Sequence, residues 1–328
     1  MNHQHPYHLP HLRLPLVILA LLALAMPVHA QTDHDWMYAD TIAERVTVMP
    51  ELLVTPDGSD PVTYILNQVY QQSLQNRKRL TYGATANVQF IVRDADIIPK
   101  VMPRTLMLAA QMYLRTKGKW ALFDYALSRP KAEATLRNHH TRVKGGKPKY
   151  DKSEILRAPA DMSNKVRNQL KELCEFDLFD ELYGEETLVN PKYRQKFAIT
   201  YEGSFEENGK TIFVLKARRY HGELRETQTL HVVDREWGIR RAEFNTRIFR
   251  SYRECIPIQG GIYMPYRKVD NPVQFNLEKA IQKGHELLDS KSKVRRMEKK
   301  TMQRAENLAK GDRDFQPMVK VGYEIKYQ

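Results

Sequence analysis

Apolar residues recur with a period close to two from Tyr193 to Lys268, and turn-forming residues interrupt this pattern. Such alternation is typical of β-strands that bury one face and expose the other. The pairs Asn208-Gly209 and Gly260-Gly261 divide the stretch into short runs and indicate tight hairpins. The pattern therefore predicts a meander of antiparallel strands as the centre of the fold.

Two further stretches alternate in the same way, one before the meander and one after it. The first runs from Tyr82 to Val92, with small and branched apolar residues on one face and mostly polar residues on the other. The second runs from Met318 to Tyr327. We expect the first to extend the sheet of the meander, and the second to need a partner strand.

Helical patterns occupy much of the remaining chain. Asp60 followed by Pro61 has the features of an N-cap and first helical residue, and apolar residues follow at helical spacing as far as Leu74. The segment from Ile97 to Lys119 is also predicted to be helical, and Asp161 is predicted to cap another helix. The apolar stretch from Lys119 to Pro130 fits either a helix or a strand.

Two polar stretches are predicted to be exposed. Lys131 to Lys152 is basic and has the character of a connection, while Asn276 to Lys310 has the pattern of a long, charge-rich helix. The basic groups of that helix could dock on an anionic membrane surface, or they could simply keep the surface soluble. The docking candidates are Lys291, Lys293, Arg295, Arg296, Lys299 and Lys300.

The N-terminus has the features of a secretory signal peptide. A polar start is followed by an apolar run from Leu14 to Met26, and then by Pro27-Val28-His29-Ala30, which suits cleavage after small residues. We therefore expect residues 1–30 to be removed and the mature protein to be exported to the periplasm, peripheral to the outer membrane. The segment 31–57 is expected to be extended, because prolines punctuate it.

The excess of basic residues narrows the classes of partner that we expect. Lysine and arginine together number 52 against 39 acidic residues, which gives a formal net charge of +13. For an exported chain this excess favours anionic lipid headgroups or surface polymers. No nucleic-acid motif and no zinc spacing accompanies it in the sequence, so nucleic acid is not an expected partner.

The residues suited to catalysis do not form a recognisable motif. His139-His140 and the acidic run from Glu172 to Glu186 could supply metal ligands, but adjacent histidines diverge on a strand and acidic runs are usually solvated. Cys174 and Cys255 have no nucleophile context and could form one disulfide or remain two free thiols. We predict no catalytic residue, no metal and no cofactor, and expect a protein that is not an enzyme.

Several short segments carry a resemblance to known families. Leu52-Leu53-Val54-Thr55-Pro56, followed by the helix from Pro61, resembles a segment of uncharacterised outer-membrane-associated proteins of Bacteroidota. The meander resembles the lipoprotein-sorting (Lol-type) carriers. The residues that carry the second resemblance are Lys210 to Leu215, Leu230 to Asp234, Trp237-Gly238-Ile239 and Gly261 to Pro265.

The resemblance implies an α+β fold in which an incomplete antiparallel β-barrel wraps on helices around an apolar cavity. On this basis residues 58–270 form the half-barrel domain, and 271–328 form a basic helix with a final strand. A closed core without a cavity remains the other possibility. The candidate cavity residues are Phe197, Ile199, Tyr201, Phe213, Leu215, Leu230, Val232 and Phe244.

The function implied is non-enzymatic binding of an acyl chain, a lipid or a lipoprotein, as in outer-membrane lipoprotein sorting. An envelope structural or adaptor protein is the main alternative, with the sheet edge and the basic helix contacting a protein partner. A secreted hydrolase is a further alternative. It requires acidic and histidine side chains to converge in one cleft, which we do not expect.

Overall fold

The computed structural model describes residues 55–56, 58–101, 119–144, 147–221, 224–246, 248–273, 278, 281–282, 296–311 and 318–328, all within one compact unit. The signal peptide, most of the segment 31–57 and most of the helix predicted from Ile97 to Lys119 lie outside these residues. The described part has an α+β fold with one open antiparallel sheet packed against helices. The predicted fold class is confirmed.

The sheet contains eleven strands in the described part of the chain, and its last strand in sequence lies in the interior of the sheet. The strands are β1 (Tyr82–Arg93), β2 (Lys131–Arg142), β3 (Pro148–Tyr150), β4 (Glu154–Arg157), β5 (Ala198–Glu207), β6 (Lys210–His221), β7 (Leu224–Val233), β8 (Ile239–Thr246), β9 (Arg250–Ile258), β10 (Ile262–Val273) and β11 (Met318–Tyr327). Their order is β3-β2-β1-β11-β10-β9-β8-β7-β6-β5, with β4 beside β2.

Seven helices accompany the sheet in the described residues. None of them combines the length and the hydrophobicity that a membrane-spanning helix requires. The ambiguous stretch after Lys119 is helical. The helices are α1 (Pro61–Arg79), α2 (Ile98–Val101), α3 (Trp120–Leu127), α4 (Asn164–Lys171), α5 (Asp180–Tyr183), α6 (Pro191–Arg194) and α7 (Arg296–Gly311), with 3-10 turns at Ala95–Ile97 and Glu172–Cys174.

The predicted meander is confirmed as strands β5 to β10, each paired with the next in sequence. Asn208 and Gly209 both have positive φ, at 54° and 73°, which is the conformation of a tight two-residue hairpin turn. Gly238 is required for a different reason, because a Cβ there would lie 2.1 Å from the ring of Tyr263. The close approach lets β8 begin directly beneath that ring.

Helix α1 begins as the sequence predicts. The Asp60 carboxylate accepts a hydrogen bond from the Thr63 backbone N–H at 2.9 Å, and Pro61 is the first helical residue. Ile65, Leu66 and Val69 are buried on one side of the helix. The helix continues five residues beyond the predicted Leu74, to Arg79, and its last turn is basic, which complements the helix dipole.

The prediction of an exposed connection from Lys131 to Lys152 is wrong. Strand β2 occupies most of this stretch and pairs with β1 over its whole length. Its buried positions include Ala132, Ala134 and Leu136, but the alternation then continues through polar residues that are also buried. Because the second half of the buried face is polar, the period of two is not visible as a hydrophobic pattern. These buried polar residues are Asn138, His140 and Arg142.

Two helix predictions also need correction. The N-cap of α4 is Ser163 rather than Asp161, whose carboxylate instead forms an ion pair with Arg129 at 2.5 Å. The charge-rich helix is not uniformly exposed in its described part, because Met302 and Ala305 of α7 are buried in the core. Arg304 of the same helix forms ion pairs with Asp94 and Asp96.

The two faces of the sheet differ in character. The inner face contributes to one continuous hydrophobic core that it shares with the helices. The outer face is polar, and across its centre the side chains alternate in charge from one strand to the next. In register these outer-face neighbours are Glu324, Arg267, Glu254 and Arg241. The helices therefore cover one face, and any enclosed site must lie on that side.

Candidate functional site

The inner face changes character from one edge of the sheet to the other. Strand pairing places one residue from each of nine strands in a single row across this face. The row is apolar at both sides and carries two cationic side chains in the middle. From β2 to β5 the row reads Leu136, Val88, Tyr323, Lys268, Arg253, Ala242, Leu230, Leu215 and Tyr201.

The two cations share one carboxylate supplied by a helix. Lys268 Nζ lies 2.6 Å from Glu181 Oε1, and Arg253 Nε lies 3.1 Å from Glu181 Oε2. Asp270 completes the cluster, 3.3 Å from Lys268 Nζ, and accepts a hydrogen bond from Ser251 Oγ at 2.6 Å. The side chains of Lys268 and Asp270 are only 4% and 5% exposed. Two buried positive and two negative groups therefore compensate each other, as burial of charge requires.

Aromatic rings surround the ammonium group of Lys268. Its Nζ lies 4.5 Å from the ring centroid of Phe176 and 4.8 Å from that of Tyr323. Both distances fall within the range of cation–π contacts, which strengthen when water is excluded. Lys268 is thus held from the sides by rings and from the ends by carboxylates, and its position is fixed.

A cover segment, defined as residues 172–183, is anchored to the inner face at three places. Besides Glu181, Asp177 forms a bidentate ion pair with Arg142, at 2.7 and 3.0 Å. Tyr183 is buried; its hydroxyl accepts from the backbone N–H of Ile239 at 3.1 Å and donates to the carbonyl of Tyr263 at 3.3 Å. Burial raises the pKa of both Asp177 and Tyr183. The segment is therefore attached by directional polar bonds.

A cavity of about 330 Å³ lies where the cover segment meets strands β10 and β11. One part of its wall is apolar and aromatic, formed by Leu173, Phe176 and Tyr323. The other part is charged and includes both buried and exposed groups. The volume is at the lower end of the range for small-molecule sites, about 300–1,000 Å³. The charged lining residues are Lys119, Glu172, Glu175, Glu181 and Lys268.

His139 and His140 point to opposite faces of β2, as predicted for adjacent histidines on a strand. His139 is exposed and its Nδ1 lies 3.0 Å from the Thr85 hydroxyl, whereas His140 is fully buried. His140 packs edge-on against Tyr150 and Phe176, with ring centroids 5.3 and 5.2 Å away. Burial lowers the pKa of His140 to about 4, although Glu181 opposes this shift. The imidazole is neutral at physiological pH.

The acidic run is not a uniformly solvated face, since Asp177 and Glu181 are both engaged in ion pairs on the inner side. Among the described residues, no group of three or more His, Cys, Asp or Glu side chains is arranged to hold a metal ion. Cys174 and Cys255 are free thiols, both buried. Burial raises the pKa of Cys174 to about 12 and also raises that of Cys255. Neither thiol is suited to act as a nucleophile.

Seven of the eight predicted cavity residues lie on the inner face of β5 to β8 and Phe197 lies just before β5, but none of the eight lines the cavity described above. Four of them are buried in the hydrophobic core: Phe213, Leu215, Leu230 and Val232. The other four are partly exposed: Phe197, Ile199, Tyr201 and Phe244. Only this second group can contact a ligand without a rearrangement of the core. Their role in ligand binding stays a prediction.

The predicted docking residues are only partly within the described chain. Lys291, Lys293 and Arg295 lie outside it, and Arg296 is the first residue of α7. Lys299 and Lys300 are exposed on α7. Their role in membrane docking also stays a prediction.

Sequence reasoning missed the charged centre of the inner face. Ser251, Arg253, Lys268 and Asp270 occupy positions that the alternation of β9 and β10 assigns to the buried face. A polar residue at such a position interrupts the hydrophobic pattern. Four polar residues at buried-face positions of two neighbouring strands were the available sign of a charged cluster, because buried charges occur only where they find partners.

No known family model matches the sequence, and no curated protein matches it. Among solved structures, the chain is similar to an outer membrane lipoprotein-sorting protein domain from Vibrio parahaemolyticus, at 9% identity over 81% of this chain and 93% of that one, with a TM-score of 0.34. It is also similar to a DUF1329 family protein from Desulfovibrio piger, at 9% identity over 82% and 92% of the two chains, with a TM-score of 0.32.

A third similar structure is a LolA superfamily protein from Nitrosomonas europaea. The identity is 6% over 79% of this chain and 90% of that one, and the TM-score is 0.25. All three likenesses are weak.

Proposed function

We propose that the protein binds an amphiphilic ligand, a lipid or the lipidated part of a protein, in the cavity beneath the cover segment. The observation that carries the proposal is the divided wall of this cavity. Leu173, Phe176 and Tyr323 offer apolar contact, while Lys268 and Glu181 stand beside them. An amphiphile has the same division, because its chain avoids water and its head retains polar partners.

The mechanism is shielding rather than chemistry. Each methylene group that leaves water for the apolar wall contributes about 0.8 kcal/mol to binding. The partly exposed residues Phe197, Ile199, Tyr201 and Phe244 extend the apolar surface along the inner face towards β5. Release requires a competing acceptor or displacement of the cover segment, whose polar anchors must then separate.

The setting of this activity is proposed to be the periplasm, at the outer-membrane side of the envelope. The features that support it are the predicted signal peptide of residues 1–30 and the predicted meander segments that resemble lipoprotein-sorting carriers. The mode is proposed to be non-enzymatic, since His139 is exposed, His140 is buried and neutral, and both thiols are buried.

Blocking the cavity tests the proposal directly. Leu173→Trp adds a bulky ring to the apolar wall, and we expect it to raise the Kd for a dansyl-labelled fatty acid at least about tenfold, equivalent to about 1.4 kcal/mol. Leu156→Trp is the matched control, because Leu156 is 45% exposed on β4 and does not line the cavity. Equal affinity of the wild type and Leu173→Trp, with unchanged thermal midpoints, would contradict binding at this cavity.

Native mass spectrometry of protein purified from the envelope identifies the natural ligand class. We expect a co-purifying lipid or acylated peptide that is retained by the wild type and lost from Leu173→Trp. A stoichiometric protein partner without any lipid would instead support an envelope adaptor that contacts its partner through the sheet edge.

A further inference from the structure

The β6–β7 hairpin and the adjoining helix α6 present an unusual group of side chains at one end of the sheet. We define the hairpin-end patch as Tyr193, Lys196, Phe197, Arg218, Arg219, Tyr220 and Arg225. These residues come from three successive segments: α6 with the turn after it, the end of β6 and the start of β7. They lie apart from the cavity, whose lining includes none of them.

The outer face of the hairpin end combines an exposed ring with cations. Tyr220 is 69% exposed, the highest value among the large hydrophobic side chains described. Arg225 is its direct cross-strand partner, and the guanidinium carbon lies 5.4 Å from the centroid of the tyrosine ring. Arg218, two residues earlier on the same face, is exposed as well. Aromatic and basic groups therefore alternate at the surface.

The inner face at the same end repeats this combination. The rings of Tyr193 and Phe197 lie 5.5 Å apart, and the Arg219 guanidinium lies 5.0 Å from Phe197 and 5.9 Å from Tyr193. Lys196 Nζ lies 4.8 Å from the ring of Tyr193. Rings in contact with cations therefore lie on both sides of the hairpin, Tyr220 on one side and Tyr193 and Phe197 of the adjoining segment on the other.

The charge of this region is predominantly positive. The patch has four basic side chains, and within the described part of the chain Glu226, which is 4% exposed, is bonded to one of them, Arg219, at 2.6 Å. Burial raises the pKa of Tyr193, and the nearby carboxylates of Glu226 and Glu186 add to this shift. Lys196, Arg218 and Arg225 are exposed, so their charges face solvent. The exposed excess is cationic and matches an anionic surface.

We propose that the hairpin-end patch docks the protein, hairpin end first, on anionic lipid headgroups of a membrane. Tyrosine rings are favoured at the headgroup level, and neighbouring Lys and Arg side chains interact with the phosphates. An end-on approach brings the rings of both faces to the same depth. A nucleic-acid strand would need its stacking rings along one continuous face, whereas here they lie on opposite sides of the hairpin. The proposal goes beyond ligand binding in the cavity and does not depend on it.

Charge reversal separates this surface from the rest of the basic protein. Arg218→Glu with Arg225→Glu changes two exposed patch residues, and Lys131→Glu with Arg137→Glu changes the net charge equally on exposed positions of β2. In sedimentation with phosphatidylethanolamine–phosphatidylglycerol vesicles at low salt, we expect the first pair to reduce the partition coefficient at least about tenfold. The second pair is expected to change it less than about threefold.

The role of the ring is tested without a change in charge. Tyr220→Ser is expected to weaken vesicle binding severalfold, and Tyr220→Trp to retain it with a blue-shifted emission, after subtraction of the wild-type spectrum. Circular dichroism of every variant checks that the fold is intact.

Three outcomes overturn the proposal: equal loss in both charge-reversed pairs, unaltered binding by the Arg218→Glu and Arg225→Glu pair, or equal binding of the wild type to vesicles of phosphatidylcholine alone. Tighter binding of the patch to single-stranded DNA than to vesicles also overturns it. Leu173→Trp, which blocks the cavity, is expected to bind vesicles as the wild type does. Failure of the cavity proposal and failure of the docking proposal therefore give different results.

Discussion

Two halves of the inner face, one on β5 to β8 and one on β9 and β10, are covered in different ways although they belong to one sheet. On β5 to β8, Phe213 and Val232 are buried in a packed apolar core. Trp237 stacks on Phe213, and the ring of Tyr64 from α1 packs edge-on against Trp237. On β9 and β10, Arg253 and Lys268 instead form ion pairs with the carboxylate of Glu181 from the cover segment. Apolar burial is non-directional and fills space, whereas ion pairs fix positions and can leave a cavity between them.

This contrast indicates where a ligand can enter. Core side chains pack at the density of organic crystals, so the apolar half gains its stability from close packing. The charged half is stable through a few specific bonds and retains a cavity of about 330 Å³ beside them. We expect mutations to act on packing in the first half and on charge balance in the second.

The largest effect is expected in the apolar half. Phe213→Ala removes a ring that is 5% exposed and stacks on Trp237, and it should reduce the free energy of unfolding by about 3–5 kcal/mol. Phe244→Ala is the comparison, since Phe244 shares the inner face but is partly exposed, and it should cost less than half as much. Urea denaturation measures both. Equal losses would show that the apolar half is not closed by packing.

In the charged half we expect Lys268→Met to cost about 3 kcal/mol, because it leaves Asp270 buried without its ammonium partner. Adding Asp270→Asn removes that uncompensated charge and leaves the Arg253–Glu181 pair intact. The double variant should therefore be more stable than the single one. A double variant at least as destabilised as the sum of its parts would contradict a charge-balanced cluster.

Acid should weaken the fold through two histidines, His140 on the inner face of β2 and His231 on the outer face of β7. Burial lowers the pKa of His140 and of His231 from 6.5 to about 4. Between these values the unfolded chain binds protons that the folded chain does not, so the free energy of unfolding decreases as the pH falls from about 6.5 to 4. Each residue contributes up to about 3 kcal/mol over this range.

The variants His140→Gln and His231→Gln should each flatten this pH dependence by a similar amount. Urea denaturation at several pH values between neutrality and pH 4 measures the slope, which does not depend on the intrinsic cost of either substitution. A slope unchanged in one variant would show that the corresponding imidazole is not kept neutral by the fold.

The smallest effect concerns the helix that covers the apolar half. Asp60→Ala removes the N-cap of α1 and should cost about 1 kcal/mol. Asp60→Asn retains an acceptor oxygen for the Thr63 N–H and should cost less than half as much. Thermal unfolding compares the two, and equal losses would indicate that the charge, not the hydrogen bond, stabilises this terminus.

The apolar half was largely predictable from the sequence. Its strands alternate with a period close to two and end at turn residues such as Asn208-Gly209, so most of the strands and their buried face follow from the pattern. The cap of α1 was predictable for the same reason, because Asp60 and Pro61 encode it locally. These features depend on near neighbours in sequence, which is what a periodic pattern records.

The charged half depended on distant partners. Lys268 and Glu181 are far apart in sequence, and nothing local shows that a helix brings them to 2.6 Å. Strand β2 was hidden because His140 and Arg142 are polar residues on its buried face. The burial of a polar side chain can be predicted only once its partner is known. The cavity was missed for that reason, since charged residues form most of its lining.

The position of β11 has a consequence for the order in which the protein is assembled. During synthesis this strand emerges after all the other described strands, yet it pairs with β1 on one side and β10 on the other. Until it arrives, each of those strands has an unsatisfied edge, which is the kind of surface that recruits other chains. The sheet is therefore completed only when its last strand has been synthesised. A nascent chain stalled before Met318 would need a chaperone to remain monomeric.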